Sequence, residues 1–197
     1  MNLPNRLTLT RLLIVPLFII VYLLPYSDMG INVPSFSIFF TQISLVDLIS
    51  FLIFVGASLT DYFDGYLARK HNLVTTFGKF VDPVADKLIV NSALIMLTCA
   101  GKMPVICLLI MILRDTIVDA IRFVAASNNI VLAASTLGKA KTMTQMIAIS
   151  LLLLDNPFFT GVGISFDIFM IYLATAISAT SGIDYYIKNA KYITETM

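Results

Sequence analysis

Charge is scarce in this chain of 197 residues, with 13% of positions Asp, Glu, Lys or Arg, against about 25% in ordinary soluble domains. The apolar share is 58% and the mean hydropathy +0.91, where soluble domains run about 45–50% apolar. Together these figures exclude a soluble globular domain and a disordered chain. A net charge of +1 leaves no basic surface to neutralise a phosphate polyanion, which excludes a nucleic-acid binder. Glutamate is nearly missing: Glu195 is the single Glu among 12 carboxylates. Surface helices usually favour Glu as the better helix former, whereas short, stiff Asp suits ligand positions, so the bias points towards a site. Cysteine is sparse as well. Cys99 and Cys107 lie in apolar runs without CxxC spacing and read as small core hydrophobes.

What is present is apolar length. Leu12 to Leu24 is almost wholly apolar, and LLPYSDMG follows it rather than a small-residue cleavage site, so the run reads as a retained anchor. Asn2 to Arg11, polar and apolar by turns, reads as a short amphipathic stretch at a membrane surface. Further apolar runs cover 44–60, 83–100, 103–126, 143–154 and 164–183, giving six candidate spans in one domain over residues 1–197. Residues 25–40 and 156–163, with Pro and Gly, read as loops. The expected fold is therefore all-α and integral to the membrane: six transmembrane helices behind a short N-terminal amphipathic helix. Arg6, Arg11, Arg69, Lys70, Lys79, Lys139, Lys141, Lys188 and Lys191 then gather on one side, while the opposite side holds only Lys102. The positive-inside rule puts both termini in the cytosol.

The remaining polar residues concentrate where the second and third spans meet. Asp61 and Asp64 are three apart and Asp82 and Asp86 four apart, so each pair shares a helix face. Two helices joined by a basic, glycine-containing loop can bring the two faces together. Four converging carboxylates repel unless a cation neutralises them, and oxygen ligands suit Mg²⁺ or Mn²⁺. Taken singly, these residues have structural readings: Asp82 before Pro83 as a helix N-cap, Gly65 and Gly78 as packing glycines, Arg69 and Lys70 as interface anchors. Four aspartates at paired helical spacing beside membrane do not share that reading, because ionisable groups there cost several kcal/mol and are retained for function. The lone histidine, His71, reads as structural or solvent-exposed.

The segment DYFDGYLARKHNLVTTFGKFVDPVAD, residues 61–86, resembles the DxxDGxxAR(x8)GxxxDxxxD signature of the CDP-alcohol phosphatidyltransferases at every fixed position. NLPNRLTLTR at the start, LRDTIVDAIRF and TLGKAKTMTQ are similar to bacterial members that act on glycerol 3-phosphate. The resemblance implies that Asp61, Asp64 and Asp82 hold two divalent ions, Mg²⁺ or Mn²⁺, that bridge a CDP diphosphate. Asp86 is then the general base for the acceptor hydroxyl and touches the second ion. Gly65 and Ala68 leave room for cytidine, Arg69 pairs with phosphate, Thr75 and Gly78 line the nucleotide pocket, and Asn5 and Thr8 close over it. It also implies a homodimer in the cell membrane with its active site facing the cytoplasm, CDP-diacylglycerol as donor, and phospholipid biosynthesis as the role.

The fourth span carries Arg114, Asp115, Asp119 and Arg122 in an otherwise apolar run. One reading is an internal Asp119–Arg122 salt bridge. The other is a cationic pocket for an acceptor phosphate, formed by Arg114, Arg122, Lys139 and Lys141. A glycerol phosphate dianion wants two to four such donors, and serine or inositol fewer. This favours sn-glycerol 3-phosphate over an uncharged acceptor, and inositol phosphate, serine and phosphatidylglycerol are the alternative acceptors for the same chemistry. A cation-coupled transporter is the alternative from another class, but transporters usually carry internal repeats and broken helices, and the chain has no visible repeat.

Overall fold

A computed structural model describes the backbone of residues 3–70, 76–128, 130, 132, 133 and 135–190, and the side chains within them except those of 3–8, 61–70, 76–83, 86 and 162. Six long helices account for most of it: α1 (Leu3–Leu23), α2 (Leu45–Lys70), α3 (Thr76–Cys99), α4 (Val105–Ser127), α5 (Thr136–Leu153) and α6 (Phe166–Asn189). They form two triplets. In one, α1 packs against α2 and α3; in the other, α6 packs against α4 and α5. The triplets meet where α5 touches α2 and α3 and where α3 touches α4. One apolar core runs through both, with Phe18, Phe54, Leu94, Leu97, Met111, Ile149 and Ile171 all buried.

Apolar side chains also cover the outside of the bundle: Leu13 is 68% exposed, Phe123 73% and Ile187 70%. Water-soluble monomers rarely expose apolar surface on this scale. Among the described residues α6 is the one helix long and apolar enough by itself to cross a bilayer; Leu9–Leu23, Leu45–Thr60 and Lys87–Cys99 are shorter apolar stretches.

Four local expectations change. The start of the chain is not a separate surface helix, since α1 runs unbroken from Leu3 to Leu23 with Arg11 buried. Pro16, inside α1, removes a backbone hydrogen bond; burial of Val15 and Phe18 on either side of it against α2 and α3 holds the helix together. The loop at 25–40 contains the first strand of a hairpin, β1 (Ser35–Ile38) paired antiparallel with β2 (Thr41–Ser44), in the register Phe36↔Ile43. Its turn residue Phe39 has φ 53°, and its ring lies 5.1 Å from that of Phe158, so tertiary contact replaces the usual turn glycine. Asp82 is no N-cap, because α3 begins at Thr76 and carries both Asp82 and Pro83 inside it. Gly65 and Gly78 are likewise in α2 and α3 rather than in the connection between them.

The end of the bundle where α2 begins is held by charge. Ser44 Oγ accepts from the Asp47 amide at 3.0 Å and donates to its carboxylate at 2.8 Å, capping α2. Lys102, between α3 and α4, reaches Asp47 at 3.1 Å and Asp155, just past α5, at 2.9 Å. One ammonium thus ties the α3–α4 connection to the start of α2 and to the α5–α6 connection.

Candidate active site

Towards the other end, the middle of α3, the second half of α4, early α5 and late α6 come together around a cavity of about 290 Å³. Lys87, Arg114, Arg122, Lys139 and Lys141 line it with Asp115 and Asp119. Among the described residues five cations face two carboxylates, an excess of three positive charges. The four cations expected from sequence to form an anion pocket are therefore neighbours in space, although α4 and α5 contribute two each.

Helical periodicity explains the convergence. Asp115, Asp119 and Arg122 recur at the i, i+4, i+7 spacing that keeps one face. Ser135 caps α5 by accepting from the Gly138 amide at 3.0 Å, which sets where Lys139 and Lys141 emerge. Asp115 is 7% exposed and Lys141 5%. Lys141 Nζ donates to both Asp115 oxygens, at 2.9 and 2.7 Å. Arg114 Nη1 donates to Asp115 at 2.9 Å and Nη2 to Ser181 Oγ at 2.6 Å. A Cβ on Gly182 would stand 2.7 Å from Arg114 Cγ, so this glycine leaves the channel in which the arginine lies. Arg122 Nε donates to the Tyr185 hydroxyl at 3.2 Å, and its guanidinium carbon is 5.4 Å from that ring's centre.

The Asp119–Arg122 salt bridge, the alternative reading of this span, is not made. Asp119 pairs instead with Lys87 of α3, across the seam between the triplets, and Arg122 takes Tyr185. Among the described residues neither Arg122 nor Lys139 has a carboxylate partner, and Lys139 is exposed. Lys87, Tyr185 and Ser181 complete the site although no function was read for them from sequence. Ser178, Ser181 and Tyr185 recur every three or four residues in an apolar helix, and that polar stripe was the available signal.

The backbone places Asp61, Asp64, Gly65, Ala68 and Arg69 late in α2, Gly78, Asp82 and Asp86 early in α3, and Asn5 and Thr8 early in α1. Their side chains lie outside the described residues, as do Thr75 and His71 entirely. The i, i+3 and i, i+4 registers of the aspartates fall on unbroken helices that touch each other. That donor set, four hard carboxylates on two contacting helices, suits divalent cations. Asp86 directly precedes Lys87, so α3 carries the end of the aspartate signature to the cavity wall.

A helical bundle with an apolar periphery, a cationic cavity and an aspartate-bearing helix at its wall defines a class, membrane-associated proteins that handle anionic substrates. The chain belongs to the CDP-alcohol phosphatidyltransferase family, whose model it matches over residues 1–180. It is thereby a transferase rather than a cation-coupled transporter. It is 42% identical over 188 residues to a Bacillus subtilis (strain 168) protein named CDP-diacylglycerol–glycerol-3-phosphate 3-phosphatidyltransferase, covering 95% of each chain. Relatives of the same name from Rickettsia felis (strain ATCC VR-1525 / URRWXCal2), 35% identical with 97% of each chain covered, and Wigglesworthia glossinidia brevipalpis, 38% identical with 94% of this chain and 93% of that one covered, are similar throughout.

Proposed function

We propose that the chain transfers a phosphatidyl group from CDP-diacylglycerol to sn-glycerol 3-phosphate, giving phosphatidylglycerophosphate and CMP. The observation that carries this reading is the excess of three positive charges among the cavity's described residues, beside the aspartate-bearing helix α3. A phosphomonoester dianion is the small acceptor that such an excess suits; serine or free inositol would leave it uncompensated. The names of the relatives agree.

In this reading Arg122, Lys139 and Lys141 take the acceptor's phosphate, with Arg114 behind them. The free hydroxyl of the acceptor is thereby directed towards α3. Its oxygen attacks the phosphorus that bears diacylglycerol, the bond from that phosphorus to the CMP oxygen breaks, and the hydroxyl proton passes to Asp86. Arg69 pairs with the donor's phosphates, Gly65, Ala68, Thr75 and Gly78 shape the cytidine pocket, and Asn5 and Thr8 close it. Two Mg²⁺ or Mn²⁺ ions, held by Asp61, Asp64 and Asp82 with Asp86, would supply charge neutralisation at the diphosphate. We place all six helices across the cell membrane, both termini and the cavity on the cytoplasmic side, and two copies in a homodimer. The apolar periphery and the gathering of basic residues at the cavity end support the first two statements.

Purified protein in detergent tests the reaction. CMP release should require Mg²⁺ or Mn²⁺ and glycerol 3-phosphate, with serine, inositol phosphate and phosphatidylglycerol giving little. A preference for any of those three would assign the cavity another acceptor.

A further inference from the structure

Asp115 is an anomaly in a site built for an anion: a buried carboxylate in the wall of a pocket that has to attract phosphate. By charge alone it weakens the pocket. Its bonds suggest a different part. The ammonium of Lys141 has three hydrogens, and two of them go to the two Asp115 oxygens, leaving one for anything else in the cavity. Arg114 is held at both arms of its fork. Its Nη1 is on Asp115 and its Nη2 on Ser181, and its Nε is buried with no partner. Gly182 offers the passage for the arginine's stem, where even a methyl group would stand 2.7 Å from Cγ. The result is a brace across α4, α5 and α6 with Asp115 at its centre.

Resting on the acceptor-phosphate reading above, we infer that Asp115 is the positioning residue of the pocket. It touches no substrate and fixes Lys141 so that a single N–H meets the phosphate, while Arg114 serves as a strut that holds Asp115 in place. Contact with the phosphate then falls to Arg122, Lys139 and that one Lys141 hydrogen. Buried charges are held in one geometry only when their bonds are satisfied, and the reason for spending two cations on one carboxylate is orientation.

The sign of the effect separates this from a simple charge role. Asp115→Asn removes a negative charge, which by electrostatics alone should lower the KM for glycerol 3-phosphate. Asp115→Glu keeps the charge and moves it by one methylene, which by electrostatics alone should change nothing. If Asp115 positions Lys141, both variants raise the acceptor KM about tenfold, with kcat and the CDP-diacylglycerol KM within about twofold of wild type. In a Lys141→Met background Asp115→Asn should then add little, because the residue it acts through is gone. A fall or no change in acceptor KM for Asp115→Asn would overturn the inference. A collapse of kcat at unchanged KM would overturn it in favour of contact with the reacting atoms. Loss of folded protein in both variants, or a rise in both KM values, would assign Asp115 to the fold instead. The parent reading is tested separately with Asp115 intact: Arg122→Ala raising only the CDP-diacylglycerol KM would remove the acceptor pocket itself.

Discussion

The two ends of the bundle hold buried or half-buried charges in opposite proportion. At the hairpin end one ammonium, Lys102, lies between the carboxylates of Asp47 and Asp155, which share its single charge. At the cavity end five cations face two carboxylates, and Arg122 and Lys139 are left without an acidic partner among the described residues. Both ends join helices of the two triplets, through Lys102 in one case and through Lys87–Asp119 in the other. Charge balance thus separates scaffold from site in this bundle. A cluster whose cations are outnumbered by carboxylates consumes them and holds connections together. A cluster with surplus cations, here the exposed Arg122 and Lys139, keeps charge available for an arriving anion.

Asp86→Asn should lower transfer by about 10²–10⁴ while donor binding persists, the usual consequence of removing a general base. Single-turnover CMP release at saturating metal measures it, and retention of more than roughly a tenth of wild-type turnover would assign the base elsewhere. Next in size, Arg122→Ala and Lys139→Ala should each raise the acceptor KM about ten- to hundredfold, since charge-assisted bonds to phosphate contribute about 1.5–3 kcal/mol each. Kinetics with both substrates varied should show a smaller change in the CDP-diacylglycerol KM. If these two cations are not surplus but structural, melting temperature will fall and KM will not move.

Much of this was legible in the sequence, for physical reasons. Six helices follow from six apolar runs, and the clustering of Arg114, Arg122, Lys139 and Lys141 follows from helical spacing plus alternating helix direction. What spacing could not give was partner choice. Asp119 stands three residues from Arg122, which favours a local pair, yet it takes Lys87 from another helix. The β-hairpin was hidden because its turn, Phe39–Phe40, has no glycine and is held by Phe158 and by the gap over Gly161. The cap that the Asp82–Pro83 pair allows when taken singly is overridden by a helix that starts earlier.

At the hairpin end the expected effects are on stability. Lys102→Met leaves Asp47 and Asp155 without their shared cation, and should cost about 1–3 kcal/mol, the scale of losing hydrogen bonds to charged groups. Thermal unfolding in detergent should register it, with the acceptor KM unchanged. A changed KM with unchanged melting would mean that the two ends are coupled and that the division drawn above is wrong.

The smallest effect is the pH dependence of that same clasp. Burial pulls the Lys102 ammonium down, but Asp155 and Asp47 outweigh it, and its pKa lies above the ordinary 10.5. Burial pushes the Asp155 carboxyl above its ordinary 3.8; Lys102 opposes this, and the nearby charges of Asp47 and Asp167 add to it. Both directions follow from one cation shared by several carboxylates. A raised lysine contributes stability that is complete below its unfolded value, so this contribution is lost as pH rises from 10.5 through the folded value. A raised aspartate has the opposite profile to the usual salt-bridged one. The folded protein takes up its proton more readily than the unfolded chain, so acidification towards 3.8 adds stability at this residue instead of removing it. Wild type should therefore gain on Asp155→Asn as the pH is lowered from neutrality into the range just above 3.8. Melting curves of the two proteins across that range test the sign. Were wild type to lose ground to the variant on acidification, Asp155 would be an ordinary, fully compensated partner of Lys102, and the carboxylate excess at this end would have no energetic consequence.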